Sequence, residues 1–159
     1  MSVTDAAALG VPATFNAAAH FVDRNVERGR GAHVAIECGD ARITYDEVLA
    51  SVNRAGQALR RAGVRAEERI LLLLFDGPEF VYSFFGAIKI GAVPVPLNTL
   101  WKAADYQHVI RDSRASVLVV HAELLPHIEK IAVAAASATS TPPTAFFKPG
   151  EVIPDFKPG

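Results

Sequence analysis

Residues 44–75 read TYDEVLASVNRAGQALRRAGVRAEERILLLLF, a pattern that predicts a helix followed at once by a strand. Thr44 and Glu47 have the spacing of a capping box, in which two residues satisfy each other's backbone N–H groups at a helix start. Gly63 suits the position just after the helix, where the backbone takes a positive φ. The helix's apolar side chains recur every three or four residues, at Val48, Leu49, Val52, Ala55 and Leu59. Within the strand, expected over residues 69–75, the unbroken apolar run predicts burial on both faces.

The same alternation of helix and strand repeats downstream. Asp76, with Glu79 three residues on and Pro78 between them, predicts the start of a second helix, which Gly91 ends. A strand over 92–97, whose two prolines suit an edge, a helix over 103–112, a strand over 116–120 and a helix over 122–136 follow. Strands alternating with helices indicate βαβ units with right-handed crossovers. We therefore expect an α/β fold with a mainly parallel, Rossmann-like sheet flanked by helices.

Upstream of residue 44 the sequence predicts a helix and a β-hairpin. Asn16 is expected to cap a helix that runs to about Glu27, with Phe21 and Val22 on its buried side. The hairpin is expected as strand 33–38, turn 39–40 and strand 41–44. These elements precede the alternating part of the chain.

Three regions of different character are expected along the chain. Residues 1–14 are small and polar and predict a flexible N-terminal arm, whereas residues 15–136 predict a partial N-terminal α/β domain. Residues 137–159 hold five of the ten prolines and contain Phe-Lys-Pro-Gly twice. Because proline disrupts both helices and central strands, this last region predicts a disordered tail or linker.

Composition excludes several classes of protein. The 159 residues include 16 basic and 17 acidic side chains, a net charge of −1 that gives no pull toward nucleic acid or an anionic membrane. Half the residues are hydrophobic, enough for a core, but the longest strongly apolar run is too short to span a bilayer. Cys38 is the only cysteine, so an internal disulfide or cysteine-based zinc site is impossible. The sequence also begins without a signal-peptide pattern, and we expect a cytoplasmic location.

Residues suited to catalysis are hard to find. The chain has neither G-x-G-x-x-G after a strand nor a G-x-x-x-x-G-K-S/T loop, and none of its five histidines has a histidine four residues away. His121 and His127 are expected to flank a helix start in solvent, and Cys38 to be a buried small hydrophobe rather than a nucleophile. Asp76 follows a buried strand, where ligands often bind, but it also fits a helix N-cap. We expect Phe80, Phe84 and Phe85 to belong to the core, and no catalytic or metal-binding residue is predicted.

Two motifs nevertheless resemble the adenylate-forming acyl- and aryl-CoA synthetases. ITYDEV at 43–48 resembles their (L/I)-T-Y-x-E-L segment, and GAIKIGAVPVPLN at 86–98 is similar to their x-x-K-x-G-A-x-x-V-P-L-N motif. More specific segments are similar to benzoate-CoA ligases: FNAAAHFVDRN at 15–25, FDGPEF at 75–80, NTL at 98–100 and ADYQHVIRDSRASVLVV at 104–120. The resemblance covers about residues 15–130 and implies the N-terminal portion of such an enzyme.

The resemblance implies a two-step reaction in the full-length family. A carboxylate attacks the α-phosphate of ATP with Mg²⁺, and CoA then displaces AMP to form a thioester. The family's phosphate loop, acidic metal ligand, aryl pocket and C-terminal lysine all lie outside the matched region. Residues 137–141 are rich in Ser and Thr but lack the glycines and the Pro-Lys of that loop. Where some aryl-CoA ligases place an arginine near the CoA phosphates this chain has Leu100, so nearby Lys102 is a candidate CoA contact and otherwise a solvated helix-start lysine.

These observations give a leading hypothesis and two alternatives. The first is an N-terminal fragment of an ATP-dependent, AMP-forming ligase of benzoate-like acids, truncated or naturally short, inactive alone and binding no cofactor by itself. The second is a stand-alone, non-catalytic module that associates with itself, with a full-length paralogue or with the missing remainder of the enzyme. A third is nucleotide binding at the Asp76 loop, in the manner of flavodoxins.

Overall fold

The computed structural model describes residues 10–128, which form a two-stranded hairpin and a three-stranded parallel sheet packed with helices. The elements in chain order are β1 (Val34–Cys38), β2 (Ala41–Thr44), α1 (Tyr45–Arg61), β3 (Arg69–Leu73), α2 (Pro78–Lys89), β4 (Val93–Pro96), α3 (Ala103–Ser113) and β5 (Val117–Val120). β1 and β2 pair antiparallel, and the larger sheet has the order β4-β3-β5. The predicted α/β fold with a parallel sheet and a preceding hairpin is confirmed.

The central strand β3 separates two apolar cores, as its uninterrupted apolar sequence predicts. Successive side chains of a strand point to opposite faces, so Leu71 and Leu73 enter one core, whereas Ile70 and Leu72 enter the other. All four are almost completely buried. α3 supplies Tyr106 to the first core, and α1 and α2 cover the second.

α1 begins and ends where the sequence predicts. The Thr44 N–H donates to Glu47 Oε2 at 2.7 Å, and the Glu47 N–H donates to Thr44 Oγ1 at 3.4 Å, which completes the capping box. Gly63 follows the helix with φ of 90°. Because L-residues rarely adopt that angle, glycine at this position ends the helix without strain.

The N-terminal helical segment is wound differently from the prediction. Asn16 does cap it, since its Oδ1 accepts the Ala19 N–H at 3.1 Å, but the segment then forms π-helical turns at Ala19–Asp23 and Val26–Arg30. Val22 is buried as predicted, whereas the expectation for Phe21 is wrong because its side chain is 56% exposed and its ring lies against that of His20.

Two polar contacts attach the N-terminal segment to α2. Asn16 Nδ2 donates to the Ile88 carbonyl at 2.9 Å, and the half-buried Lys89 ammonium lies 2.6 Å from the Asp23 carboxylate. Residues about 70 positions apart in sequence are thereby joined. The segment is therefore part of the same fold as the sheet.

The second predicted helix starts one residue later than expected. Gly77, with extended backbone, is the N-cap of α2, and Pro78 occupies its first turn. Asp76 lies outside the helix and is exposed, so the prediction that it caps α2 is wrong. Pro78 is favourable at a helix start because it has no N–H to satisfy, and its ring sets φ for the first turn.

The structure describes only part of the regions predicted at the two ends of the chain. A 3₁₀ turn at Ala122–Leu124 continues into helical residues 125–128, in agreement with the beginning of the helix expected over 122–136. The rest of that helix, most of the predicted arm at 1–14 and the whole tail at 137–159 lie outside the described residues. Those domain boundaries remain predictions.

Candidate functional site

Loops from three parallel strands meet at one edge of the sheet, which we call the carboxyl edge. It comprises the residues that follow β3, β4 and β5: Phe75, Asp76, Leu100, Trp101, Lys102 and His121. Neighbouring parallel strands lie about 5 Å apart, so these loops are adjacent. Ligands of open α/β sheets commonly bind at this edge.

The loop between β4 and α3 has a defined conformation. Asn98 Oδ1 accepts the Leu100 N–H at 2.8 Å, and the Asn98 carbonyl accepts the Tyr106 hydroxyl, also at 2.8 Å. The Trp101 ring lies 6.0 Å from the Tyr106 ring. Burial raises the pKa of the Tyr106 hydroxyl further above neutral pH, at which the group is protonated and can donate this hydrogen bond. The loop presents Leu100, 88% exposed, and Trp101, 38% exposed.

Lys102 stands at the start of α3. Its backbone N–H donates to Asp105 Oδ2 at 3.1 Å, while its side chain is exposed. In the described part of the chain, its ammonium makes no hydrogen bond or ion pair. A cation at a helix N-terminus is unfavourable to the helix dipole, so this charge does not stabilise α3. The proposed contact with CoA phosphates stays a prediction.

The two histidines of this region differ in environment. His121 Nδ1 accepts the Glu123 N–H at 3.3 Å, so the side chain caps the 3₁₀ turn. Its ring makes an edge contact with the exposed Phe75 ring at 4.6 Å. The prediction that both histidines are solvated is therefore correct for exposed His127 only, because His121 is half-buried by these contacts.

The start of α2 does not fit a nucleotide phosphate. A phosphate at a helix N-terminus needs free backbone N–H groups and little negative charge. Here Pro78 has no N–H, Asp76 directly precedes the N-cap Gly77, and Glu79 lies in the first turn. The structure thus gives no support to nucleotide binding at the Asp76 loop. Between residues 10 and 128, no group of three or more His, Cys, Asp or Glu side chains is arranged to hold a metal ion.

Cys38 does not have the predicted environment, because its side chain is exposed. It lies at the turn end of the hairpin, paired with Ala41. The hairpin side chains that pack against the core under α1 are Ala35, Ile36 and Ile43, farther from the turn. The alternation of apolar side chains within β1 correctly predicted a strand. It could not predict how much of that strand α1 covers, and the end that carries Cys38 is left exposed.

The phenylalanines of α2 belong to the core, as predicted. Phe80 and Phe84 stack at 5.8 Å and pack against the core on the α1 and α2 side of the sheet. Phe85 meets Phe84 edge-on at 5.6 Å and packs against the core cluster formed by Val22, Val48 and Val52.

The fold defines an α/β scaffold, and comparisons with known proteins place it in a family. The AMP-binding enzyme family model matches residues 22–150, so the chain belongs to that family. It is 42% identical over 120 residues to the benzoate-CoA ligase of Thauera aromatica and 44% identical over 118 residues to the 4-hydroxybenzoate-CoA/benzoate-CoA ligase of Rhodopseudomonas palustris. These matches cover 75% and 74% of this chain but 23% and 22% of the two ligases.

A solved structure gives the same assignment. The fold matches the crystal structure of an anthranilate CoA ligase in complex with anthranoyl-AMP with a TM-score of 0.72 and 41% identity, over 77% of this chain and 23% of that one. The resemblance to the N-terminal portion of aryl-CoA ligases is thereby confirmed. The chain spans about a quarter of the length of the relatives it matches. Across residues 10–128, no helix has the length and apolarity needed to cross a membrane.

Proposed function

We propose that this chain forms the N-terminal α/β segment of an ATP-dependent, AMP-forming ligase that joins a benzoate-like acid to CoA. The observation that carries the proposal is the 42–44% identity to two ligases of benzoate and hydroxybenzoate over nearly the whole described fold. This identity spans 120 and 118 residues in the two matches. It supports a shared substrate class rather than a shared fold alone.

The segment's role is structural, and it is inactive alone. The described carboxyl edge offers one unpaired cation, Lys102, and acidic groups at the start of α2, which is not a set of residues that neutralises a triphosphate. ATP, Mg²⁺, CoA and the aromatic acid are therefore expected to bind to the full-length enzyme. The segment contributes a rigid sheet on which the remaining parts assemble.

The direct test is a chimera with a known relative. This chain's matching residues replace the 120-residue matched segment of the benzoate-CoA ligase of Thauera aromatica, and benzoyl-CoA formation is measured. We expect activity within about tenfold of that of the parent ligase, because the exchanged scaffold keeps the same fold. A chimera that folds but forms no benzoyl-CoA would contradict the proposal. The same exchange into an acetyl-CoA synthetase should leave benzoate unused.

Lys102 gives this proposal a specific contact. Its exposed ammonium, one residue before α3, is proposed to lie near the phosphates of CoA in the complete enzyme. In the chimera, Lys102→Ala should raise the KM for CoA severalfold and leave the KM values for benzoate and ATP unchanged, while Lys102→Arg should retain affinity because the charge remains. Equal KM values for CoA in all three proteins would show Lys102 to be merely solvated.

A non-catalytic binding module is the second candidate, and the exposed Leu100 and Trp101 side chains favour it. Such a module would associate with itself or with a full-length paralogue through apolar surface. Sedimentation of the purified chain distinguishes the possibilities. Concentration-dependent association supports the module, and a monomer at all concentrations counts against self-association.

A further inference from the structure

An open groove of about 710 Å³ lies along the N-terminal segment, and its lining residues all come from positions 10–27. Residues within 10–16 line one part of it, and residues of the helical stretch 19–27 line the rest. The turn at Ala19–Asp23 is π-helical, a rare conformation that occurs frequently at functional sites. We name this feature the N-terminal groove.

Three rings in contact line the N-terminal groove, and we call them the aromatic row. The His20 ring lies 5.1 Å from the Phe15 ring and 4.9 Å from the Phe21 ring. The neighbouring Ala18 and Val22 are buried in the fold, whereas Phe15 is 43% and Phe21 is 56% exposed. The row therefore presents aromatic surface to solvent, on which a further ring can pack.

A cation adjoins the aromatic row. Arg24 Nη1 lies 3.4 Å from His20 Nδ1, and no carboxylate of residues 10–128 comes within ion-pair distance of this guanidinium. Two carboxylates also line the groove, those of Asp23 and Glu27. Asp23 is neutralised by Lys89, whose ammonium lies 2.6 Å away. Arg24 is therefore the charged group in direct contact with the rings.

We propose that the N-terminal groove binds an aromatic carboxylate, whose ring packs on the aromatic row and whose carboxylate pairs with Arg24. Small-molecule sites combine apolar and aromatic surface with a few polar groups that fix orientation. A guanidinium pairs with a carboxylate through two parallel hydrogen bonds, so it suits this ligand class. The proposal does not rest on the proposed function, because the ligand class is argued from the groove residues alone.

The position of His20 in the aromatic row allows a direct test. Benzoate is titrated into the purified 159-residue chain at constant pH, and the ring-proton NMR signals of its five histidines are followed. The His20 signals are assigned by their loss in His20→Gln. We expect them to shift saturably, because a bound ring and a carboxylate beside Arg24 both change the environment of the imidazole. His20 signals that do not respond to benzoate overturn the proposal.

Two further probes separate the ring from the charge. Acetate has the carboxylate without the ring, and benzyl alcohol has the ring without the carboxylate. Each should need a concentration about tenfold higher than benzoate for the half-maximal shift, because each lacks one of the two contacts. If acetate is as effective as benzoate, the groove is only an anion contact. If benzyl alcohol is as effective, it is only an apolar surface, and either result overturns the proposal.

Variants of exposed side chains test the two contacts. Arg24→Gln should raise the Kd for benzoate about tenfold because it removes the charged partner, and Phe21→Ala should raise it severalfold. The matched control is Arg28→Gln, which changes an exposed arginine of the same segment outside the groove and should leave the Kd unchanged. If Arg24→Gln and Arg28→Gln bind benzoate equally well, the proposal is wrong.

The alternative occupant is a second copy of the chain, which sedimentation detects. A dimer that Phe21→Ala makes monomeric, with no response of His20 to benzoate, overturns the proposal. The binding measurement and the chimera assay are independent of each other. A chain that binds benzoate at His20 while the folded chimera forms no benzoyl-CoA contradicts the proposed function and supports the groove, and an active chimera with an unresponsive His20 does the reverse.

Discussion

At the scale of single residues, two glutamates connect the starts of elements. Glu47 Oε2 accepts the Thr44 N–H at 2.7 Å and the Thr44 hydroxyl at 2.8 Å. Glu68 Oε2 accepts the Arg65 N–H and the Ser116 hydroxyl, both at 2.9 Å, and so links the starts of β3 and β5. In each case the two hydrogen bonds lower the pKa of the carboxyl group below its usual value. The bond from the backbone N–H has the larger effect, and the bond from the hydroxyl has the smaller one.

Thr44→Ala tests the capping box. The variant leaves the Glu47 N–H without its side-chain acceptor, so the free energy of unfolding should fall by about 1 kcal/mol. Thr44→Ser keeps the hydroxyl and should stay close to the original protein. Urea unfolding followed by circular dichroism measures both. Equal losses in the two variants would mean that the methyl group, rather than the cap, matters.

The Glu68 contacts predict a specific pH dependence. Because the carboxyl pKa is lower in the folded than in the unfolded protein, its stabilising contribution is present above the unfolded pKa and is lost as the pH falls through the folded one. Glu68→Gln should therefore flatten the loss of stability below about pH 5. Ser116→Ala should flatten it in part, since one of the two bonds remains. Urea unfolding midpoints measured from pH 3 to 7 test this, with Glu123→Gln as an exposed control. If the midpoints of Glu68→Gln and of the original protein fall equally steeply with pH, Glu68 is not the group responsible.

At the scale of elements, α1 and α2 approach closely at two glycines. A Cβ on Gly86 would lie 2.8 Å from Ala55 Cβ and 2.9 Å from Gly56 N. A Cβ on Gly56 would lie 2.9 Å from the Gly86 carbonyl oxygen. The contacts are with backbone or with a short side chain, so neither can move aside. The two glycines set the distance between the helices that cover one face of the sheet.

Gly86→Ala should therefore separate α1 from α2. Overpacking of this kind lowers the free energy of unfolding by about 1–3 kcal/mol, which is more than alanine gains over glycine through its higher helix propensity. Gly77→Ala is the comparison, because its new Cβ would meet only the flexible end of Glu79, at 3.3 Å. Chemical denaturation gives both values. A Gly86→Ala protein as stable as the original protein would mean that the helix contact yields easily.

Local sequence signals predicted most of the helices and strands. The errors concern which of their side chains are buried by other parts of the fold. The capping box at Thr44, the stop at Gly63 and the two-faced burial of β3 follow from short-range geometry that a single sequence reveals. Cys38 was misplaced because its exposure depends on how far α1 covers the hairpin, and Phe21 because its exposure depends on which side of the N-terminal segment packs on the fold; both are tertiary properties. The candidate site is harder still, since only the sheet topology brings Phe75 beside the loop that carries Leu100.

At the scale of the whole molecule, we propose that the described residues serve as a scaffold rather than as a reaction centre. The parallel sheet presents loops at one edge, but the nearest helix start is acidic and lacks an N–H at Pro78. The chain belongs to the AMP-binding enzyme family and covers 23% of the benzoate-CoA ligase of Thauera aromatica. The chemistry is expected where the relatives extend beyond the matched quarter.

The most direct measurement is thioester formation by the purified 159-residue chain with benzoate, ATP, Mg²⁺ and CoA, with the chimera as the positive control. We expect no benzoyl-CoA from the chain above the no-enzyme background and clear turnover by the chimera. Turnover by the isolated chain, lost when CoA or ATP is omitted, would contradict the claim that this segment is a scaffold and would place a complete active site within it.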